Sequence, residues 1–195
     1  MQAALPRRRL EWGFTLIEVL VTLVIIALGL LGLGAFQARS QQAELEAYDR
    51  AQALVLLNAM VNRINSNRQT APCYVVTTGA GAPYLGYADG SHAAPVTCVG
   101  FGDVHTQQMA VDDLNEWDAL LKGASEAVGG IAGGGTLAAR GCISFDAVTL
   151  TYTVTIAWQG LSQTVVPTVA CGNNTYGSER MRRVVSTTFR PATLL

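Results

Sequence analysis

A single carboxylate inside an otherwise apolar segment is the first residue of this sequence whose chemistry needs a specific explanation. Residues 14–36 read FTLIEVLVTLVIIALGLLGLGAF, and Glu18 is their only charged residue. A charge within a membrane segment costs about 2.5 kcal/mol or more, and such residues are by default functional and paired. We therefore expect Glu18 to have a specific cationic partner.

The peptide bond between Gly13 and Phe14 offers a source for that partner. Cleavage there would create an α-amino group one helical turn from Glu18, and an ammonium at that place neutralises a carboxylate of the same chain or of a neighbouring one. Between chains, this pairing would fix the register in which the apolar helices pack. The alternative is a simple signal anchor in which Glu18 has no role.

The apolar segment 14–36 is long enough to cross a membrane. At about 1.5 Å per residue, a helix of this length spans roughly 34 Å, whereas an ordinary signal-peptide core has only about 7–15 residues. Residues 1–13 form a polar leader with three arginines at 7–9, and only Arg39 follows the segment closely. The positive-inside rule then predicts a cytoplasmic N-terminus and export of the rest.

The helical pattern continues through residues 37–67, which contain no proline and many good helix formers. Near-helical spacing predicts an apolar face made of Leu45, Tyr48, Gln52, Val55, Met60 and Ile64, with Leu56 and Val61 beside it. Charged residues are expected mainly elsewhere: Arg39, Glu46, Asp49, Arg50 and Arg63. The pattern predicts one long helix whose apolar half meets lipid or partner helices and whose amphipathic half packs on its own globular head.

Residues 68–195 are predicted to form that head. Residues 77–97 are typical of a surface loop with an Asp89-Gly90 turn, and residues 123–141, with seven glycines, of a flexible connector. Between them, residues 112–122 favour a short helix, with acidic residues at its start and Gly123 at its end.

The clearest strand pattern lies at residues 148–158, where apolar side chains alternate with threonines. Two further strands are predicted at about 163–170 and 181–189. Together they predict an antiparallel meander whose apolar face receives the long helix, which is an α+β fold.

Four cysteines, Cys73, Cys98, Cys142 and Cys171, all follow the apolar segment. An even number on the exported side of a membrane favours two disulfides. Three pairings are possible, and we favour Cys73 with Cys98 and Cys142 with Cys171 because each pair brackets a loop-like or hairpin-like stretch. A metal site of four thiolates is the alternative, but such sites usually show two close C-x-x-C pairs, which this sequence lacks.

Composition and motifs argue against several other functions. The net charge of −1 does not favour direct binding of nucleic acid, which needs a clustered excess of Lys and Arg. Neither His92 nor His105 belongs to a catalytic motif, so we predict no enzyme, no cofactor and no metal.

Two charged clusters are given structural interpretations. Asp112, Asp113 and Glu116 lack a D-x-D-x-D-G loop, so we interpret them as charges at a helix end instead of a calcium site. The basic residues Arg180, Arg182 and Arg183 could contact anionic partners, but the solvated side of an edge strand is the favoured interpretation.

The stretch Gly13-Phe14-Thr15-Leu16-Ile17-Glu18-Val19, placed after a short basic leader, resembles the class III signal of type IV prepilins and pseudopilins. The resemblance implies that a prepilin peptidase cleaves after Gly13 and methylates the amine of Phe14. It also implies that Glu18 is the assembly glutamate, at the fifth position of the mature chain, and that the fold is pilin-like.

The continuation VLVTLVIIALGLLGLGAFQARS, together with the acidic helix containing a tryptophan and the glycine-rich stretch after it, resembles minor pilins of the PilV type. This implies a scarce subunit that primes or caps a type IV pilus, contacts other minor and major pilins through its N-terminal helix, and serves twitching motility, adhesion or DNA uptake. Before assembly such a protein spans the inner membrane once, with a periplasmic head, beside the pilus assembly machinery; afterwards it belongs to an extracellular filament, near its tip.

Two other functions stay open on the sequence. A minor pseudopilin of a type II secretion system would share the same signal and differ mainly in its head and its machine. A membrane-anchored exported hydrolase is more remote, because it needs a nucleophile and base that the sequence does not offer.

Overall fold

A computed structural model describes residues 13–87, 97–123, 127–128, 131–132 and 138–192. The chain divides into two compact units, one ending at Ala43 and the other beginning at Glu44. The remainder of the predicted leader, residues 1–12, lies outside the described residues, as do the Asp89-Gly90 turn and His92.

One helix, α1, runs over Leu16–Ser66. The prediction of a single long helix through residues 14–67 is confirmed within one or two residues at each end. All described residues of the first unit are exposed, and by length and composition α1 is able to cross a membrane. The described glycines at 29, 32 and 34 lie within the helix and do not interrupt it.

The second unit contains a four-stranded antiparallel sheet. The strands of the described residues are β1 (Leu85–Gly86), β2 (Ala127–Val128), β3 (Ile131–Ala132), β4 (Arg140–Asp146), β5 (Thr151–Gln159) and β6 (Arg182–Phe189). The main sheet has the order β1-β4-β5-β6, and β2 pairs only with β3. A long helix followed by a small antiparallel sheet confirms the predicted α+β, pilin-like fold.

The second half of α1 packs into the core of the head. Its buried residues Ala53, Leu57, Met60 and Ile64 recur at helical spacing and join the apolar face of the sheet in one cluster. The sheet contributes Tyr152, Val154, Ile156 and Trp158 from alternate positions of β5.

The predicted apolar face of α1 is wrong in its first half. Leu45 and Tyr48 are each 57% exposed and Val55 is 66% exposed. The side that meets the head instead carries the small residue Ala53 and the acidic residue Glu46, which is satisfied by hydrogen bonds. The large apolar side chains of this half therefore lie on a neighbouring, exposed face of the same helix.

A second helix, α2, occupies Val104–Leu121 and starts eight residues before the predicted one. Its start is set by a reciprocal cap in which Asp103 accepts from the backbone of Thr106 at 2.8 Å and Thr106 Oγ1 accepts from the backbone of Asp103 at 2.9 Å. Its predicted end is confirmed, because Gly123 follows with φ +83°, a conformation that favours glycine.

The loops between strands also differ from the prediction. Asp146 accepts a 2.8 Å hydrogen bond from the backbone of Val148, so a turn occupies the start of the predicted strand and Val148 is 92% exposed. Strand β4 begins inside the predicted flexible connector, because Arg140 and its neighbours find a partner in β5. Residues 163–170 form no strand, and β6 pairs directly with β5, as in Ile156 with Val185.

Two disulfides join Cys73 to Cys98 and Cys142 to Cys171, with Cα separations of 5.2 and 5.9 Å. This is the sequential pairing, and it leaves no thiolates for the alternative metal site. The second disulfide lies in a small core cluster behind the sheet, together with Tyr84, Ala157 and Tyr176.

Candidate functional site

The junction between the leader and the apolar helix is exposed, and no described residue covers it. Gly13 is exposed, and no atom lies within 4 Å of the place where a Cβ would project from it. Phe14 is 83% exposed and precedes the first residue of α1. The Gly13–Phe14 peptide bond is therefore not shielded by the described part of the chain.

Thr15 fixes the start of the helix immediately after this bond. Its carbonyl oxygen accepts from the backbone of Glu18 at 3.1 Å and from Val19 at 3.3 Å, and its hydroxyl oxygen accepts a longer bond of 3.4 Å from Glu18. Thr15 therefore caps the helix, and the T-x-x-E spacing of Thr15 and Glu18 is the sequence signal that predicts such a cap.

Glu18 consequently lies in the first turn of α1, where the positive end of the helix dipole favours a carboxylate. Its carboxylate makes no hydrogen bond or ion pair with any described residue. The neighbouring side chains of Ile17 and Val19 are apolar and 65% and 49% exposed. In lipid or between packed helices, this carboxylate would need a cation from elsewhere.

Beyond Glu18, the first unit presents an apolar surface along its helix. Large apolar side chains that are about half or more exposed include Leu20, Leu23, Val24, Ile25, Leu28, Leu31 and Phe36. Water is a poor solvent for such a surface, so it has to meet lipid or other apolar helices. Gly29, Gly32 and Gly34 have open space beside them, as close helix contact at small residues requires.

The predicted acidic helix end is wrong, because the acids lie in the middle of α2, and two of them make tertiary contacts. Arg63 of α1 forms ion pairs with Asp113 and Glu116, each at 2.8 Å. The hydroxyl of Tyr74 donates to Asp113 at 2.5 Å, and burial together with this bond raises the pKa of Tyr74. Among the residues that the structure describes, Asp112 accepts only from Gln108 of its own helix, and the three acids form no cation site.

The interpretation of the basic cluster as solvated is wrong for Arg182. Its side chain is 2% exposed, and its guanidinium donates to Glu179 at 2.8 Å and to the carbonyl oxygens of Val169 and Cys171. Burial of an arginine is tolerated here because a carboxylate and several carbonyl oxygens accept hydrogen bonds from its guanidinium.

Arg183 joins α1 to the sheet through Glu46. Glu46 accepts from the backbone and hydroxyl of Ser162 at 3.1 and 2.8 Å and from Arg183 at 3.2 Å. Burial raises the pKa of Glu46, but the hydrogen bonds from Ser162 and the charge of Arg183 outweigh it and hold that pKa below its usual value.

Nothing in the described head resembles a catalytic or metal site. His105 is exposed near the start of α2, and the described residues contain no group of three or more His, Cys, Asp or Glu side chains placed to hold a metal. The clearest candidate site is therefore the N-terminal one, made of Gly13, Phe14, Thr15 and Glu18.

The family model of the prokaryotic N-terminal methylation motif matches residues 13–34. Neither curated proteins nor solved structures give a significant match to the chain. The motif supports a type IV pilin or pseudopilin class protein, a structural subunit instead of an enzyme. It implies processing by a prepilin peptidase and assembly into pilin-type complexes, and with the apolar helix it fits a membrane-anchored protein with an exposed head.

Proposed function

We propose that the chain is a minor pilin of the type IV pilus, of the PilV type, made as a precursor and cut between Gly13 and Phe14. The observation that carries the proposal is the methylation motif at residues 13–34, in register with an exposed Gly13–Phe14 bond and with Glu18 in the first helical turn.

In this proposal, four segments have separate roles. Residues 1–13 are the leader, residues 14–36 the membrane and filament-core helix, and residues 37–67 its amphipathic continuation. Residues 68–195 form the exported head. Two disulfides in that head fit an oxidising compartment beyond the inner membrane.

Processing creates the cation that Glu18 lacks. Hydrolysis of the Gly13–Phe14 bond leaves Phe14 with an α-amine, which stays protonated after methylation. Thr15 holds Glu18 one turn away from that amine, and in an apolar filament core the attraction between the two charges is stronger than in water. Pairing of Glu18 with the Phe14 amine of a neighbouring subunit would set the axial step of the filament.

The apolar surface of the first unit provides the remaining assembly contacts. Subunits leave the bilayer under the inner-membrane assembly machinery and exchange lipid for the helices of other minor and major pilins. As a scarce subunit near the tip, the protein primes or caps the filament and serves twitching motility, adhesion or DNA uptake.

A minor pseudopilin of a type II secretion system is the second candidate, since the same motif and helix support it equally. The two are distinguished in the native host. Loss of surface pili on deletion, with the protein recovered in sheared pili, supports the pilus; retention of pili with loss of protein secretion contradicts it.

The test of processing is the N-terminal mass of the protein expressed with and without a prepilin peptidase. We expect the peptidase to remove residues 1–13 and to leave Phe14 methylated, and Gly13→Val to block cleavage. The matched control is Gly29→Val, at a glycine inside α1 and away from the cleavage site, which should be cleaved normally. An intact N-terminus in the presence of an active peptidase would contradict the proposal.

A further inference from the structure

A groove on the head lies between the turn Arg68–Tyr74 that follows α1 and the ends of β5 and β6. Its volume is about 640 Å³, within the range of about 300–1,000 Å³ that is usual for ligand pockets. The residues that line it include Arg68, Gln69, Pro72, Leu150, Tyr152 and Arg190.

The groove has two cationic side chains that no described residue neutralises. Within the described part of the chain, the guanidinium groups of Arg68 and Arg190 make no hydrogen bond or ion pair. In contrast, the arginines at 63, 182 and 183 each pair with a carboxylate of the same compact unit. Two uncompensated positive charges in one concave site attract an anionic ligand.

The rest of the groove is mainly apolar. Pro72, Leu150 and Tyr152 all line the groove. Leu150 is half-exposed, whereas only 7% of Tyr152 is exposed. Leu150 has φ +55°, a left-handed conformation that is uncommon for a leucine. A ligand that fits the groove therefore has an acidic group next to an apolar one.

We propose that the groove binds an acidic peptide segment of a partner protein. A carboxylate of the segment lies between Arg68 and Arg190, because the guanidinium fork matches carboxylate geometry. An adjacent apolar side chain contacts Leu150 and Tyr152, and the amide of Gln69 is available to the peptide backbone. This site lies in the head and does not depend on the processing or assembly of the N-terminal helix.

The test uses the full chain in detergent micelles and a fluorescent peptide, Gly-Leu-Glu-Asp-Gly, whose anisotropy reports binding. The comparison probe is Gly-Leu-Gln-Asn-Gly, and both peptides carry a C-terminal amide, so that the two have nearly the same shape and differ only in the two side-chain carboxylates. We expect the acidic peptide to bind at least about tenfold more tightly than the comparison peptide that contains Gln and Asn. The double variant Arg68→Gln/Arg190→Gln should lose about tenfold or more in affinity, and Arg50→Gln, an exposed arginine outside the groove, should lose nothing.

Equal binding of the two peptides, or an equal loss in Arg50→Gln, would overturn the proposal, since either result means that any positive charge suffices. Displacement of the peptide by glutarate or inorganic phosphate at equal concentration would also overturn it, because the apolar part of the groove would then contribute nothing. Circular dichroism checks the fold of the double variant. Should that variant unfold, Arg68→Gln and Arg190→Gln are measured singly, and unchanged affinity in both contradicts the proposal.

Discussion

The indole nitrogen of Trp117 donates a 3.0 Å hydrogen bond to the backbone carbonyl of Leu56, and both residues are buried. This bond links the C-terminal half of α2 to the second half of α1 inside the core. Strand β4 comes so close to the same indole ring that a Cβ at Gly141 would collide with it. Trp117 therefore connects α2 both to α1 and to the sheet.

Trp117→Phe should reduce the free energy of unfolding by about 1 kcal/mol. The substitution removes the hydrogen bond, so the buried carbonyl of Leu56 loses one of its donors. Trp117→Ala should cost about 3–5 kcal/mol, because it also leaves a cavity. Chemical denaturation followed by circular dichroism measures both. His105→Ala, an exposed position of the same helix, should stay within about 0.5 kcal/mol of the wild type. A phenylalanine variant as stable as the wild type would argue that the bond contributes nothing.

Arg182→Gln should destabilise the head by about 3 kcal/mol, because Glu179 loses its partner and two backbone carbonyls lose a buried donor. Arg180→Gln is the matched control. That side chain donates one exposed 3.3 Å bond to the carbonyl of Thr164, so its loss should cost about 0.5 kcal/mol or less. Similar melting temperatures for the two variants would refute a structural role for Arg182.

The ion pair and hydrogen bonds of Glu46 make head stability depend on pH. Since the folded pKa of Glu46 lies below its ordinary value of 4.5, its stabilisation is fully present above that value and is lost as the pH falls through the folded pKa. At about pH 7, the wild type should therefore have a higher melting temperature than Glu46→Gln. This difference in melting temperature should become smaller towards about pH 3.

Glu44→Gln is the control for this pH series, since Glu44 is exposed on the same helix and does not take part in the contacts with Ser162 and Arg183. Its melting temperature should follow the wild type throughout. A difference between Glu46→Gln and the wild type that stays constant with pH would mean that the charge of Glu46 is not what stabilises the contact.

Glu18→Gln should leave cleavage intact and deplete the subunit from sheared filaments by about tenfold, because a neutral amide does not pair with the Phe14 amine. Immunoblots of the sheared and cellular fractions measure the ratio. Glu18→Asp keeps the charge and should be depleted less. Normal incorporation of the glutamine variant would remove the proposed role of Glu18 while leaving the processing proposal standing.

The local signals of the sequence determined α1 and its apolar half, since length, composition and an isolated charge act within a short stretch of chain. The alternating pattern of β5 and the stop of α2 at Gly123 were also predicted, because each depends on neighbouring residues. The start of α2 could have been predicted from the capping residues Asp103 and Thr106. The prediction instead placed the start at the acidic residues 112–116, which was wrong.

Only the tertiary structure decided the roles of residues whose partners are distant in the chain. Arg63 contacts Asp113 and Glu116, which follow it by 50 and 53 residues, and Glu46 contacts Ser162 and Arg183, which follow it by 116 and 137 residues. No periodicity encodes such pairs, because the energy of a buried charge depends on what the fold places beside it. For the same reason the helix face that enters the core was set by the sheet it packs on, and large apolar residues such as Val55 stayed outside.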